Sequence, residues 1–127
     1  MNNIYILIFM ICCHIADDYY LQRVGALAFM KQKNWWTENA PDAKYKYDYI
    51  VALTMHAFSW SSMIHLPVMI STKFATWIIP SILINTIIHA VVDDLKANKF
   101  KMNLIQDQVI HIIQIVVVFV LSVLIKI

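Results

Sequence analysis

The sequence has few charged residues and almost no glycine. Only 14% of its 127 residues are charged and 61% are hydrophobic, which leaves too little polar surface for a soluble domain, since such domains average about 25% charged residues. Gly25 is the single glycine, and this excludes a glycine-based GxxxG contact between membrane helices. The composition therefore predicts an integral membrane protein.

Other absences narrow the choice of function. No run of Lys or Arg with interleaved aromatic residues occurs, so we expect no nucleic-acid partner. Cys12 and Cys13 are adjacent in an apolar segment, where we interpret both as small buried apolar residues rather than redox groups or ligands. Ser59, Ser61 and Ser62 have no surrounding pattern typical of a nucleophile.

Four apolar stretches approach the roughly 20 residues that cross the hydrocarbon core, at about 4–21, 49–71, 74–95 and 104–125. They predict one all-α domain over 1–127, a bundle of four transmembrane helices with a longer loop between helices 1 and 2. The start of that loop, 23–30, either extends the first helix or lies along the interface. Pro67 and Pro80 fall inside the second and third stretches, where we expect kinks or local unwinding.

The basic residues predict the orientation. With four spans, the loop between helices 1 and 2 and the loop between helices 3 and 4 lie on the same side of the membrane. That side has eight basic residues: Arg23, Lys31, Lys33, Lys44, Lys46, Lys96, Lys99 and Lys101. The other side has only Lys73 and Lys126. We therefore expect a multi-pass protein of the bacterial inner membrane, with both termini non-cytoplasmic and these loops cytoplasmic. We interpret the loop lysines as topogenic; a binding patch is the alternative. Residues 1–3 carry no Lys or Arg, so we expect a retained first helix rather than a signal peptide.

Three histidine–aspartate pairs lie inside the apolar stretches, each with a spacing of four residues: His14 with Asp18, His89 with Asp93, and Asp107 with His111. Residues four apart share one face of an α-helix. Ionisable groups in membrane helices usually face a partner, a cavity or an ion. The predicted topology puts all three pairs in one leaflet.

Two further histidines lie on the second stretch. His56 is about seven residues from the cytoplasmic side, at a depth matching the three pairs. His65 is roughly two and a half turns deeper, so we leave it out of the site and expect an interhelical hydrogen bond. A single pair would be typical of a structural hydrogen bond, but the matching depth of the whole set favours a shared ligand.

The donor types favour a divalent metal, one or two ions, with zinc preferred over manganese or magnesium. The predicted ligands are His14, Asp18, His56, His89, Asp93, Asp107 and His111. Some of these would orient other ligands, and a catalytic role is predicted for Asp18, Asp93 and Asp107. The pattern leaves open whether Asp17 or Asp18 faces the site, and whether Asp94 joins it. The rim of the predicted site carries Lys96, Gln22 and Gln108. We expect these side chains either to bind an anionic substrate or to reach the lipid headgroups.

The motifs resemble those of a family of small bacterial and phage membrane proteins classed as a domain of unknown function. That family's pattern is a His-x-x-x-Asp-aromatic-x-Leu-Gln motif, a central His, a His-x-x-x-Asp-x-x-Lys motif and an Asp-Gln-x-x-His motif. They match 14–22, His56, 89–96 and 107–111 in order, but Asp17 stands where the family usually has a small residue. A more distant resemblance is to inner-membrane metal-dependent hydrolases of the YdjM type, in motif style only.

From these features we expect a membrane-embedded metal-dependent hydrolase acting on an ester or phosphoester, in a lipid headgroup or a cytoplasmic small molecule. A divalent ion lowers the pKa of its bound water towards neutrality, and an aspartate could take the proton. The alternatives are a non-catalytic membrane interaction protein, such as a phage exclusion factor, with a structural metal or polar cluster, and an ion conduit. Expected partners are membrane lipids, and a membrane protein or further copies of this chain.

Overall fold

A computed structural model describes residues 2–125, which are mainly helical and contain no strand. The first long helix, Asn3–Val24, is continuous through three parts: α1 (Asn3–Ala16), a π-helical turn (Asp17–Leu21) and α2 (Gln22–Val24). The other long helices are α5 (Asp48–Thr72), α6 (Ile78–Ala97) and α7 (Leu104–Leu124). The connection to α5 contains α3 (Leu27–Met30), α4 (Lys33–Asn39) and a 3-10 turn (Ala43–Tyr45).

Three segments are long and apolar enough to cross a membrane: Asn3–Val24, Ile78–Ala97 and Leu104–Leu124. The all-helical class is confirmed, and three of the expected spans have the length and composition of membrane helices. The second, α5, is longer at 25 residues but less apolar than α1 or α7, since it carries buried polar residues such as His56, Ser61 and His65. Lys126, used in the charge count, lies outside the described residues.

The predicted helix boundaries fit best where strong local signals exist. The start of α7 at Leu104 is correct, and Asn103 and Gln106 explain it with a capping box in which each side chain accepts from the other's backbone N–H. The third helix begins at Ile78 rather than at Phe74, because Lys73 and Phe74 adopt left-handed conformations in a turn. Pro80 therefore lies in the first turn of α6, where a missing N–H is tolerated.

Two other expectations need correction. A kink or local unwinding was expected at Pro67, and helix α5 is helical on both sides of this residue, so the unwinding is not present. Cys13 is buried but Cys12 is exposed, because neighbouring residues of a helix point about 100° apart. The start of segment 23–30 extends the first helix, one of the two alternatives considered for it. The first helix continues to Val24, after which a left-handed Ala26 turns the chain into α3.

Helix α5 is central, in contact with α1, α6 and α7. The buried residues of each long helix recur at helical spacing, as in the inward stripe of α7 from Asp107 through His111 and Val118 to Ser122. The outward faces of the helices are apolar, with Ile79, Ile87 and Ile105 among the most exposed side chains. This inside-out distribution is typical of a bundle surrounded by lipid.

The interior divides along the bundle axis into two halves. At the apolar end, where α1 and α6 begin, an apolar core is formed by Ile6, Met10, Trp60, Ile64, Val68, Ile78, Ile115 and Val118. At the other end, where α6 ends and α7 begins, the buried side chains include four histidines and three aspartates: His14, His56, His89, His111, Asp17, Asp93 and Asp107. We call this the polar end. The apolar core fixes the separation of the helices and so places the polar side chains opposite one another.

Replacement of Ile64 by alanine tests the apolar core. Ile64 is fully buried, so the Ile64→Ala variant should lose about 2–4 kcal/mol of unfolding free energy through lost packing. The matched control is Ile105→Ala on the exposed face of α7, which should change stability little. Unfolding of the detergent-solubilised variants measures both. Equal stability of the two variants would contradict the assigned core.

Candidate metal centre

Each of the three histidine–aspartate pairs lies on one helix face, as predicted. The shortest N–O distances within the pairs are 3.6 Å for His14 and Asp18, 3.8 Å for His89 and Asp93, and 3.4 Å for Asp107 and His111. These side chains are buried, apart from a small exposed fraction of Asp18. The pairs meet at the polar end together with His56.

Asp93 is the common neighbour of these groups. Its Oδ2 lies 2.8 Å from His56 Nε2 and 3.8 Å from His89 Nε2, while its Oδ1 lies 3.6 Å from His111 Nε2. The side chain of Asp93 is 2% exposed, so water contributes little to its solvation. Three imidazoles from three helices thus direct the same ring nitrogen towards one buried carboxylate.

Two overlapping groups of side chains could each hold a metal ion: Asp18, His56 and His89, and His89, Asp93 and His111. Within each group, the three ligand atoms lie within 4.8 Å of one another. His89 belongs to both. For a tetrahedral zinc ion with ligands at about 2.0–2.2 Å, neighbouring ligand atoms are about 3.3–3.6 Å apart. The Nε2 atoms of His56 and His89 are 3.3 Å apart. The donor types and spacing therefore suit one divalent ion, and the two overlapping groups leave room for a second.

His14 lies at the edge of this arrangement, with both ring nitrogens engaged. Its Nδ1 accepts a hydrogen bond from Trp60 Nε1 at 2.7 Å, which leaves Nε2 to donate to Gln108 Oε1 at 3.1 Å. Because both ring nitrogens of His14 are hydrogen-bonded, its contacts are those of a residue that orients neighbouring side chains rather than those of a metal ligand. Asp107 is also at the edge, where Oδ2 accepts from Lys96 Nζ at 2.6 Å and from Gln108 Nε2 at 3.1 Å.

The π-helical turn explains how two adjacent aspartates both face inwards. Residues five apart lie over one another in a π-helix, and Gln22 Nε2 donates to Asp17 Oδ2 at 2.6 Å. Ser59 on α5 donates to the other oxygen of Asp17 at 2.7 Å. Asp18 instead faces the histidines, 3.7 Å from His56 Nε2. Of the two aspartates, Asp18 is the one that lies beside the histidines.

Aromatic stacking holds the imidazole rings in place. Trp60 stacks on His89 with ring centroids 4.2 Å apart, and His89 stacks on His111 at the same distance. The Nδ1 atoms of His56, His89 and His111 have no hydrogen-bond partner within the part of the chain that the structure describes. Packing, more than hydrogen bonding of Nδ1, therefore sets the directions of the three Nε2 atoms.

Sequence reasoning missed Lys31 and Trp60. Lys31, interpreted as topogenic, donates from Nζ to Asp93 Oδ2 and lies 2.9 Å from His56 Nε2. No local pattern distinguishes it from the other loop lysines, since its position depends on the turn at Ala26. Trp60 could have been found: it lies four residues after His56, on the same face of α5.

A small cleft of about 90 Å³ opens at the polar end, lined by Asp18, Tyr19, Lys31, Asp93, Lys96 and neighbouring residues of α7. Three carboxylates and two ammonium groups line it, those of Asp18, Asp93, Asp107, Lys31 and Lys96, and a fourth carboxylate, that of Asp17, lies buried at the same end of the bundle. Together these groups carry two negative charges in excess when all four carboxylates are ionised and the imidazoles are neutral. A low-dielectric surrounding makes such an excess unfavourable unless protons or a cation neutralise it.

Two other titratable residues lie outside this arrangement. His65 makes the interhelical hydrogen bond expected of it, with Nε2 2.8 Å from Ser81 Oγ on α6 and Nδ1 2.7 Å from Ser61 O. Asp94 is paired with Lys99 at 2.9 Å and accepts a hydrogen bond from Asn98, so it does not join the histidines.

Comparison of the chain with models of known families, with curated proteins and with solved structures gave no match. The fold and the site themselves define the class of protein. It is a helical protein with three helices long and apolar enough to cross a membrane and a buried histidine–aspartate cluster that could hold a metal ion.

Substitution of Trp60 tests the role assigned to His14. In Trp60→Phe the ring remains aromatic but the donor to His14 Nδ1 is lost, so His14 should change from one tautomer, protonated at Nε2, to a mixture. Nitrogen chemical shifts of the labelled imidazole measure this. Trp77→Phe, at the start of α6, is the control and should leave the His14 shifts unchanged. A single Nε2–H tautomer persisting in Trp60→Phe would contradict the assignment.

Proposed function

We propose that the chain is a membrane-embedded hydrolase that depends on a divalent metal ion held at the polar end. His56, His89, Asp93 and His111 hold the ion, with Asp18 as a further ligand or as the group beside the reacting water. His14 and Asp107, also proposed from the sequence, orient these groups. Zinc is the preferred metal for this mixture of imidazole and carboxylate.

The observation that carries the proposal is the crowding at His56 Nε2. This single ring nitrogen lies 2.8 Å from a carboxylate oxygen, 2.9 Å from Lys31 Nζ and 3.3 Å from His89 Nε2. If it carries a proton, it can donate to Asp93 but not accept from Lys31. If it carries a lone pair, the approach of Asp93 is repulsive. A divalent cation satisfies both groups because lone pairs of nitrogen and oxygen then point at one positive centre.

The charge balance supports the same proposal. The excess of two negative charges at the polar end, to which the buried Asp17 contributes one, equals the charge that one divalent ion would neutralise. Apolar helix faces surround the cluster, so neutralisation lowers the free energy more than it would in water. A second divalent ion would give the site an excess of positive charge unless protons or lysine ammonium groups left it. The charge balance therefore favours a single ion in the resting protein.

The chemistry follows from what surrounds the cleft. A divalent ion held there would supply Lewis acidity and an activated water. Asp18, which is 12% exposed at the cleft, is placed to take a proton, and Lys96 is placed to attract an anionic group of the substrate. The cleft admits only a small group, such as a phosphoryl or carboxyl ester. A lipid headgroup or a small cytoplasmic molecule would both present one.

A non-catalytic function is the second candidate, favoured by the ion pair between Lys31 and Asp93. In that case Lys31 and protonated imidazoles neutralise the carboxylates, and the cluster fixes helix packing. The protein would then act through contact with a membrane-protein partner or with further copies of itself. The resemblance to small bacterial and phage membrane proteins, which has no independent support, is compatible with either function.

We also propose that α5 is a fourth membrane span, in a bacterial inner membrane, with both termini on the non-cytoplasmic side. Its 25 residues reach about 37 Å, more than the hydrocarbon core needs. Its hydropathy is low because His56, Ser61 and His65 face the interior, whereas its outward residues such as Met55 and Ile70 are exposed and apolar. It also contacts all the apolar helices.

Single cysteines on either side of α5 test this topology. In a background of Cys12→Ala and Cys13→Ala, Thr37→Cys in α4 should react with an impermeant reagent only from the cytoplasmic side. Lys73→Cys, at the other end of α5, should react only from the opposite side. Mass shifts after labelling of intact and inverted vesicles measure this. Labelling of both positions from one side would exclude a spanning α5.

Metal content tests the proposed function. The purified protein should bind about one divalent ion with a zinc-like preference, and Asp93→Asn should lose it because the common neighbour of the three imidazoles loses its charge. The matched control is His65→Gln, which changes a buried histidine outside the cluster and should retain the ion. Elemental analysis and titration calorimetry give the stoichiometry.

Activity is measured on phosphoester and carboxylester substrates, both water-soluble and presented in vesicles. The wild type and His65→Gln should hydrolyse one class, and Asp93→Asn should be at least about 100-fold slower. A protein that binds no divalent ion would contradict the proposal. Binding without hydrolysis of any ester would leave the structural cluster as the better assignment.

A further inference from the structure

We propose that Lys31 is a built-in counter-cation that occupies the metal position and that must leave it when a divalent ion binds. This inference rests on the metal centre proposed above, and it adds how that centre is regulated. Lys31 follows α3, in the connection between the first long helix and α5, so the competing cation comes from outside the four long helices.

The contacts of Lys31 are those of a cation at a ligand site. Its ammonium group bridges Asp93 Oδ2 and His56 Nε2, two atoms that are themselves 2.8 Å apart. A divalent ion coordinated by both atoms would lie in the same space. Two cations so close together in a buried site would repel strongly, so occupancy by one excludes the other.

The backbone that carries Lys31 is fixed in place. Asn98, just after α6, accepts from Lys33 N at 2.7 Å and donates to Lys31 O at 3.2 Å. Trp36 Nε1 donates to the carbonyl of Met30 at 2.6 Å. These bonds hold the backbone of Lys31 and of residues on both sides of it, so the side chain alone can leave the site without movement of the loop.

The direction in which Lys31 would leave is also defined. Its side chain is 15% exposed and lines the cleft, whereas its partner Asp93 is 2% exposed. Rotation about the side-chain bonds would move the ammonium group outwards to the cleft, where water can solvate it. The freed lysine would then lie beside Lys96, and the cleft would carry two unburied or half-buried ammonium groups facing an incoming anion.

This exchange has a measurable consequence for affinity. In the wild type a metal ion must displace Lys31, so its apparent affinity is the intrinsic affinity multiplied by the fraction of molecules in which the lysine has left the site. A variant without the ammonium group removes this competition. A lysine that merely supported the fold, or that helped to attract anions, would have no such effect on metal binding.

The test compares Lys31→Met with Lys99→Met in the full-length detergent-solubilised protein, with Zn²⁺ alone as the probe. Methionine keeps an unbranched side chain but removes the charge. Lys99 pairs with Asp94 outside the cluster, so its replacement removes the same charge without touching the centre. We expect Lys31→Met to bind Zn²⁺ at least about tenfold tighter than the wild type, and Lys99→Met to bind it as the wild type does.

A second measurement uses the unmodified chain, so it does not depend on the folding of a variant. Saturating Zn²⁺ should increase the labelling of Lys31 by an amine-directed reagent severalfold, with the labelling of Lys99 unchanged, as read by peptide mass spectrometry. Equal or weaker Zn²⁺ binding by Lys31→Met, or Lys31 labelling that Zn²⁺ leaves unchanged, overturns the exchange while the metal centre stands. Absence of Zn²⁺ binding in both the wild type and Lys31→Met overturns the metal centre as well.

Discussion

The arrangement at the polar end depends on the burial of one carboxylate, that of Asp93. A charged aspartate inside a bundle of apolar helices is unfavourable unless other groups neutralise and solvate it. Here the solvating groups come from three other parts of the chain: Lys31 from the loop, His56 from α5 and His111 from α7. Removal of the charge of Asp93 would leave these groups without the centre towards which they converge.

The two halves of the bundle contribute differently to this arrangement. The apolar core around Trp60, Ile64 and Ile115 sets the distances between helices, and its aromatic member also stacks on His89. The polar end combines ion pairs such as Lys96 with Asp107 and the stacked rings of His89 and His111. Trp60 belongs to both halves: its ring is in the core and its N–H fixes the tautomer of His14. Packing of the core therefore has a direct effect on the orientation of the site.

Much of the fold was predictable because its signals are local. The extent of α5 follows from the length of its apolar stretch, and the start of α7 agrees with its capping box. The shared helix faces of the histidine–aspartate pairs follow from their spacing of four residues. The grouping of His56 with the pairs followed from depth in the predicted topology, which is a restraint that soluble proteins lack. The start of α6 was wrong because hydropathy does not distinguish an apolar turn, such as that at Phe74, from an apolar helix.

The parts of the site that escaped prediction depend on tertiary contacts. Lys31 reaches Asp93 only because the chain turns at Ala26 and is held by Asn98, at the far end of α6. The inward placement of Asp17 together with Asp18 requires a π-helical turn, and an ideal α-helix would send one of them away. His14 was included as a ligand because of its spacing from Asp18 and its depth in the predicted topology. Its hydrogen bonds to Trp60 and Gln108 could be found only in three dimensions.

X-ray absorption spectroscopy of the zinc-loaded protein is the sharpest test of whether the histidines and aspartates of the polar end bind the ion, because it reports the atoms bound to the ion. We expect a first shell of nitrogen and oxygen atoms at about 2.0–2.1 Å from the zinc ion, with the outer-shell scattering of two or three imidazoles. A sulfur shell at about 2.3 Å, which would implicate Cys12 or Cys13, would contradict it. A shell of oxygen alone without imidazole scattering would do so equally.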